Sequence, residues 1–196
     1  MDPIPSYRYF RDPRAPVVTT WKDEPSECGL CGRSGPGYSG PYSGEAECEF
    51  LCEPCLVAGK LGHYGLTTNA GDVAALRNQL RHLPEIVRER LVRDRSDELK
   101  HRTPRLVTWQ DLTWPACCGN YTPFEGEVGR EEFARLAAAG DPWSWFLEHA
   151  REPGSVGFVA EDLAPHASRP GKRWSLVVYH FRCGTCGRSI LHWDRG

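Results

Sequence analysis

The chain has 196 residues, a formal net charge of −2 at pH 7 and nine cysteines. The near-neutral charge excludes a general electrostatic attraction to nucleic acid, although a local basic patch is compatible with it. Nine cysteines are too few per residue for a dense disulfide scaffold, and no apolar run approaches the roughly 20 residues that a transmembrane helix needs. The length suits one sizeable domain, or a zinc module fused to a second small core.

The first residues, Met1-Asp2-Pro3-Ile4-Pro5, show neither the basic region nor the apolar stretch of a secretion signal. We therefore expect a cytoplasmic protein with reduced thiols. The 16 prolines and 20 glycines indicate a loop-rich fold that depends on bound metal for its order. In residues 1–27, Tyr7 and Tyr9 flank the polar Arg8, and this alternation predicts a strand with one buried face.

Two cysteine pairs dominate the next segment, Cys28-Gly29-Leu30-Cys31 and Cys52-Glu53-Pro54-Cys55. Two residues between cysteines let one tight turn aim both sulfurs at a common point, and two such pairs supply the four thiolates of a closed zinc site. The alternative is four buried or disulfide-bonded cysteines. The first pair predicts a zinc knuckle on a hairpin. The second predicts ligands at a helix start, because Pro54 fits a first helical turn, and the combination resembles a treble-clef finger.

The segment between the pairs, residues 35–42, is rich in glycine and proline and is interpreted as a hairpin connection rather than a mobile binding loop. Cys48 breaks the pair spacing. We expect it to be a spare buried cysteine, with a fifth, exchangeable ligand as the alternative.

The middle of the chain predicts two helices, over about 72–83 and 85–101, separated by Pro84 and with Asp72 as the N-cap of the first. From Arg77 to Arg105 there are nine basic residues against five acids. This run could contact phosphates, but a mixed-sign run more often forms a solvated helix face.

Trp109 and Trp114 precede Cys117 and Cys118, and we interpret the two tryptophans as the lid of a small core rather than as a ligand cage. Residues 128–139 and 143–150 then predict short helices, the second after an Asp141-Pro142 start. Residues 153–171 predict a surface loop, in which no role is assigned to His166.

The C-terminal segment predicts a strand, a knuckle and a strand, with Cys183-Gly184-Thr185-Cys186 as the knuckle. A redox pair is the alternative, but that chemistry favours cysteines that open a helix. The knuckle lacks two ligands. Cys117 and Cys118 could supply one or both, and His192 is the reserve candidate.

These motifs resemble those of the bacterial CbrC family, known as colicin-tolerance protein. The likeness spans nearly the whole chain in the family's order and rests on Tyr7-Arg8-Tyr9-Phe10, Cys28 to Cys31, Tyr38 to Tyr42, Leu51 to Cys55, Arg102-Thr103-Pro104, Cys118-Gly119 and Tyr179 to Gly187. Residues 94–101 resemble an insertion, and Cys117 replaces an expected histidine, which keeps a zinc-competent donor. The resemblance implies a part in tolerance to a bacterial toxin and no established enzymatic activity.

The predicted fold is α+β and loop-rich: a small zinc-binding domain with treble-clef and zinc-knuckle elements, several short helices and short antiparallel strands. Residues 1–70 form the N-terminal zinc module, and residues 71–196 form the helical segment with the C-terminal knuckle, packed with the first as one domain. The predicted metal is Zn²⁺, and its predicted ligands are Cys28, Cys31, Cys52, Cys55, Cys117, Cys118, Cys183 and Cys186.

Three functions are compatible with these residues. The first is a non-catalytic, zinc-stabilised interaction protein that binds a protein partner, such as a toxin or a component that the toxin exploits. The second is a metal-dependent hydrolase or nuclease on a treble-clef finger, with His63 as its local candidate base. The third is a nucleic-acid-binding zinc module that uses the arginine-rich helix. The absence of an acidic cluster or a nucleophile motif near His63 favours the first function.

Overall fold

The computed structural model describes residues 7–15, 19–40, 42, 44, 48–108, 110–128, 135, 142–150 and 176–195. The described strands are β1 (Trp21–Glu27), β2 (Ser34–Ser39), β3 (Phe50–Cys52), β4 (Ala70–Gly71), β5 (Thr113–Trp114), β6 (Ala116–Cys117), β7 (Asn120–Tyr121), β8 (Phe124–Glu127), β9 (Leu176–Arg182) and β10 (Ser189–Arg195). The described α-helices are α1 (Glu53–Val57), α2 (Val73–Gln79), α3 (Glu85–His101) and α4 (Pro142–His149), and Lys60–Tyr64 forms a 3-10 helix. The prediction of short helices mixed with antiparallel strands is confirmed.

The first sheet has the antiparallel order β1-β2-β3. Strand β2 occupies most of the stretch that was predicted to be a connection, so that prediction was wrong. The reason is close packing: a side chain at Gly37 would overlap the carbonyl oxygen of Leu51 on β3. Glycine serves here to let two strands approach each other, and not to make a turn.

The predicted strand at Tyr7–Tyr9 was also wrong. Tyr7 and Phe10 form an isolated bridge around a tight turn, although Tyr7 and Tyr9 are both buried and Arg8 is exposed. The alternation of burial was therefore predicted correctly, but a turn that packs two aromatic rings on the core produces it.

Helix α3 has the predicted bounds, and α2 ends earlier than expected because a turn precedes Pro84. Asp72 is the N-cap of α2, since its side chain accepts a hydrogen bond from the backbone N–H of Ala75 at 2.9 Å.

The second sheet has the antiparallel order β10-β9-β8, with β9 and β10 paired along their full length. Two smaller pairs complete the described strands. Strands β6 and β7 form an antiparallel hairpin, and β4 pairs with β5 in parallel, which the sequence did not predict.

A cluster of aromatic rings joins the elements. Trp114 is fully buried, contacts Phe10 and Phe181, and donates a hydrogen bond from Nε1 to the carbonyl oxygen of Thr122 at 2.7 Å. Residues of the first sheet, such as Leu51, belong to the same core as Trp114. The division of the chain at residues 70 and 71 stays a prediction.

Several predicted features lie outside the described residues: Trp109, nearly all of the helix over 128–139, the cap Asp141, and the loop over 153–171 with His166. Within the described part of the chain, no helix combines the length and apolarity needed to cross a membrane.

Candidate metal centres

The first candidate centre begins at the turn between β1 and β2, where Cys28 and Cys31 lie. The backbone N–H of Gly32 donates to the carbonyl oxygen of Cys28 at 2.8 Å, and the N–H of Cys28 donates to the carbonyl oxygen of Arg33 at 3.0 Å. Gly32 has φ of +68°, a conformation that glycine adopts without steric cost. These bonds close the knuckle so that both cysteine side chains point to one side.

The other two thiols of this centre come from the junction of β3 and α1. Cys52 is the last residue of β3 and the N-cap of α1, and Cys55 lies in the first turn of that helix. Pro54 also lies in the first turn, as predicted, where its missing N–H leaves no intrahelical bond unmade.

The four sulfurs of Cys28, Cys31, Cys52 and Cys55 all lie within 4.8 Å of one another. Sγ of Cys31 and Sγ of Cys52 are 3.7 Å apart. A tetrahedral ion with Zn–S bonds of about 2.3 Å requires sulfurs separated by about 3.8 Å. The donor set and its spacing therefore fit a single tetrahedral metal ion.

The second candidate centre contains a knuckle with the same hydrogen bonds. Between β9 and β10, the N–H of Gly187 donates to the carbonyl oxygen of Cys183 at 2.9 Å, and the N–H of Cys183 donates to that of Arg188 at 2.9 Å. Gly187 has φ of +73°. The sequence repeats accordingly, Cys-Gly-Leu-Cys-Gly-Arg-Ser from residue 28 and Cys-Gly-Thr-Cys-Gly-Arg-Ser from residue 183. This seven-residue repeat is visible in the sequence alone and indicates that the two knuckles share one conformation.

Cys117 and Cys118 supply the remaining thiols of the second centre. They lie at the β6–β7 hairpin, whose two-residue loop is Cys118-Gly119 with φ of 51° and 74°. Positive φ at both loop residues is typical of the tight type I′ hairpin turn. Cys117 ends its strand and Cys118 begins the turn, so the chain reverses between them and two adjacent residues can face one point.

The sulfurs of Cys117, Cys118, Cys183 and Cys186 also lie within 4.8 Å of one another. Sγ of Cys117 is 3.7 Å from Sγ of Cys186 and 3.9 Å from Sγ of Cys118. These distances again match the edges of a tetrahedral thiolate site, about 3.8 Å. The second centre joins the middle of the chain to its end.

In each cluster, one thiol has a pKa below its ordinary value. Burial raises the pKa of Cys28, but the backbone N–H groups of Cys52, Leu30 and Cys31 outweigh it and bring that pKa down to about 7. The backbone N–H of Arg188 and the neighbouring thiols lower the pKa of Cys186 to about 7.

Four other thiols of the clusters have a raised pKa. Burial raises the pKa of Cys52, Cys55 and Cys117, and the hydrogen bond with Cys186 raises that of Cys118. Once one thiolate has formed, its charge disfavours a second. A cation at the centre of the four sulfurs would remove this penalty, which is why such clusters suit a metal.

The clusters differ in exposure. In the first, Cys28, Cys52 and Cys55 are buried and Cys31 is partly buried. In the second, Cys183 is buried, Cys117 is partly buried, and Cys118 and Cys186 are exposed. Solvent therefore reaches the second cluster much more easily.

Three other candidates lie outside both clusters. Cys48 is buried, and its thiol donates to the carbonyl oxygen of Phe50 at 3.4 Å. The Nε2 of His192 lies 3.7 Å from Oδ1 of Asp194, and its ring stacks on Tyr179. His63 is exposed on the 3-10 helix. The described candidate metal sites contain none of the three.

The arginine-rich helix carries several ion pairs within the chain. Glu89 binds Arg77 at 3.0 Å and Arg88 at 3.2 Å, and Asp94 lies within 4.0 Å of Arg90 and Arg93. These pairs are typical of a solvated helix face. Phosphate contact by this helix stays an untested alternative.

The fold and its clusters define a class: a mixed helix and antiparallel-strand protein with two four-cysteine sites that could hold metal. The sequence profile described as "Uncharacterised protein family (UPF0167)" matches residues 4–195. The chain belongs to this family.

The relatives cover the chain almost from end to end. UPF0167 protein PA1536 of Pseudomonas aeruginosa is 29% identical over 195 residues, 98% of this chain and 96% of the relative. UPF0167 protein Mb2317 of Mycobacterium bovis and UPF0167 protein MT2352 of Mycobacterium tuberculosis are each 27% identical over 193 residues, 97% of this chain and 93% of the relative. No solved structure matches the chain at a significant level.

Proposed function

We propose that this protein is a non-catalytic binding protein whose fold is stabilised by two zinc ions. The observation that carries the proposal is that cysteine sulfurs supply all four corners of both clusters. Four thiolates leave no open position for water or substrate, so the metal contributes folding free energy and does not act as a Lewis acid.

Zinc is the ion that this donor set favours. Tetrahedral four-sulfur sites hold zinc or an iron–sulfur cluster. Sulfur separations of 3.7 Å match the edge of a tetrahedron around one ion. In the first centre, a knuckle on a hairpin followed by ligands at a short helix supports a treble-clef finger. The second centre combines a knuckle with a tight hairpin.

The proposed role is to bind a protein partner and thereby to confer tolerance to a bacterial toxin of the colicin type. The partner is the toxin itself or a component that the toxin exploits. This part rests on the resemblance of the motifs to the CbrC family. It is consistent with closed metal sites, which build a rigid surface without catalysing a reaction.

Elemental analysis of the purified full-length protein, combined with a thiol count, tests the metal part. We expect two zinc ions per chain, and we expect a strong chelator to abolish the native circular dichroism spectrum. Protein that contains no metal, or that keeps its spectrum after the metal is removed, would contradict the proposal.

Survival of a colicin-sensitive bacterial strain tests the role. Cells that express the chain should survive a given toxin dose better than cells with the empty vector, and Cys48→Ser should protect equally. Equal killing with and without the chain would refute the toxin role while leaving the metal part intact. Metal-dependent cleavage of a substrate that disappears in His63→Ala would instead support an enzyme.

A further inference from the structure

A cavity of about 750 Å³ lies directly beside the first cysteine cluster. Its walls come from β1, β2, α1 and the start of the 3-10 helix, and Cys31, Cys52 and Cys55 form part of its lining. This volume is within the range of roughly 300–1,000 Å³ that is typical of small-molecule sites. Nothing in the proposed binding function assigns a role to it.

One wall of the cavity is a prearranged group of three side chains. The guanidinium of Arg14 lies over the ring of Trp21, 4.4 Å from its centroid, and donates from Nη2 to Oε2 of Glu53 at 2.6 Å. Arg14 Nε also donates to Oε1 of Glu53 at 3.4 Å. A two-bond ion pair that is largely shielded from solvent holds both partners in place. The Trp21 ring is therefore a fixed apolar wall.

Both carboxylates of the cavity accept hydrogen bonds within the chain, and Glu53 is also paired with a cation. Glu53 accepts both bonds from Arg14, and Oδ1 of Asp23 accepts a bond from Nε1 of Trp21 at 2.9 Å. Arg33 and Lys60 also line the cavity, and within the described part of the chain neither forms an ion pair or a side-chain hydrogen bond. The cavity lining thus carries three cations against two carboxylates, and Arg33 and Lys60 are the two cations without an ion pair among the described residues.

The remaining lining contains apolar residues beside a serine and the thiols of the cluster. Pro36 of β2 and Pro54 of α1 complete the surface that begins with the Trp21 ring. A ligand that fits these walls has an aromatic or aliphatic body, and its charge is negative. Small neutral polar molecules would leave the apolar wall unused, and organic cations would face Arg33 and Lys60.

We infer that this cavity binds a small organic anion, with its apolar body against Trp21 and its carboxylate or phosphate between Arg33 and Lys60. The two anionic groups share one chemistry, since each accepts charge-assisted hydrogen bonds from arginine and lysine. The site lies on the metal module but uses none of the metal's coordination positions.

A competing explanation assigns both cations to the cluster itself. Four thiolates around a divalent ion carry two net negative charges, and Arg33 and Lys60 could simply offset them. The two explanations differ in what the loss of the cations changes: affinity for an external anion in one case, and retention of the metal in the other.

The experiment uses the metal-loaded full-length protein and four probes that differ in charge or in apolar body. They are 1-naphthoate, 1-naphthyl phosphate, the neutral 1-naphthalenemethanol, and acetate. Binding is followed by NMR through the indole N–H signal of Trp21, which is assigned with a Trp21→Phe variant. We expect both naphthyl anions to shift this signal with saturation. Acetate and 1-naphthalenemethanol should bind at least about tenfold more weakly, because acetate lacks the aromatic body and the alcohol lacks the anionic group. The relative strength of the two anions shows whether the site prefers a carboxylate or a phosphate.

The double variant Arg33→Gln/Lys60→Gln should lose about tenfold or more of the naphthoate affinity and keep its two zinc ions. The matched control is Lys22→Gln/Arg81→Gln, which removes two exposed charges that lie outside the cavity lining and should bind as the native chain does. Equal binding of the neutral and anionic naphthalenes would overturn the inference. Unchanged anion binding in the double variant would do so too, as would faster metal loss without a change in anion affinity.

Discussion

Each of the two clusters contains four cysteines, two of them on the same kind of knuckle, but the clusters differ in their surroundings. Cys28, Cys52 and Cys55 of the first cluster belong to the hydrophobic core. Cys118 and Cys186 of the second are exposed at the ends of two hairpins. The same local turn therefore occurs in both clusters, and the element that carries the other two cysteines decides how deeply the cluster is buried.

This difference separates two structural roles. The first cluster ties the β1–β2 hairpin to β3 and α1, around which core residues such as Leu51 and Leu56 pack. The second cluster brings residues 117 and 118 together with residues 183 and 186, and these two segments are far apart in the sequence. Losing the first should remove part of the core, and losing the second should release a link between hairpins.

The largest expected effect follows from removing a buried thiol of the first cluster. Cys55→Ser should abolish the soluble fold, because a structural zinc site contributes about 10–16 kcal/mol in small fingers and a whole domain is stable by only about 5–15 kcal/mol. Soluble yield and zinc content measure the effect. Cys48→Ser is the matched control, a buried cysteine outside the cluster, and should cost about 1 kcal/mol in urea unfolding. Equal damage from both variants would show that the ligand assignment is wrong.

A smaller effect should follow from Cys186→Ser in the second cluster. We expect a folded chain that retains one zinc ion, with faster amide exchange in the β6–β7 and β9–β10 hairpins and native protection in β1–β3. Hydrogen exchange with mass spectrometry resolves the segments. Exchange that rises uniformly over the chain would mean that the two clusters do not form separate stabilising units.

The order of metal loss should reflect the exposure of the thiols. A chelator should remove the second zinc first, and a thiol-alkylating reagent should label Cys118 and Cys186 at least about tenfold faster than Cys28 or Cys55. Mass spectrometry of peptides from samples labelled for successive times measures this order. Simultaneous labelling of both clusters would contradict the comparison.

Acid should weaken both clusters, the exposed one at the higher pH. The pKa of Cys28 and Cys186 is lowered from 9.0 to about 7, so the contribution of these thiolates to stability is full above pH 9 and is lost as the pH falls through 7. Metal binding requires the thiolates and so falls in the same direction. A zinc indicator read during acidification from about pH 8 to about pH 5 should show two releases. Zinc release that increases with rising pH would contradict this prediction.

The smallest effect concerns the contact between the N-terminal turn and the second cluster's hairpin. Tyr9 is fully buried and donates from its hydroxyl to Oδ1 of Asn120 at 2.7 Å, next to Gly119. Tyr9→Phe should cost about 1 kcal/mol in urea unfolding, the typical net value of one hydrogen bond. It should also speed release of the second zinc without affecting the first. Equal acceleration at both sites would indicate a general loss of stability.

Much of the local structure could be predicted because it rests on short-range chemistry. The Cys-x-x-Cys-Gly turns, the N-cap at Asp72 and the helix bounded by Pro84 and Arg102 depend on residues that are neighbours in the chain. The prediction failed where a distant residue decides the conformation. Gly37 forms a strand rather than a turn because Leu51 packs against it, and Tyr7 to Tyr9 turns rather than extends.

The sequence by itself determined the two knuckles, Cys28/Cys31 and Cys183/Cys186, since each is a Cys-x-x-Cys pair followed by a glycine with positive φ. It also restricted the partners of the second knuckle to Cys117, Cys118 and His192. Only the tertiary structure decided that Cys117 and Cys118 both join the cluster of Cys183 and Cys186, because that depends on how the β6–β7 hairpin meets the β9–β10 hairpin. Tertiary packing likewise made one cluster buried and the other exposed, and brought Arg14, Trp21 and Glu53 together around a cavity, since burial is a property of the assembled core and not of any single segment.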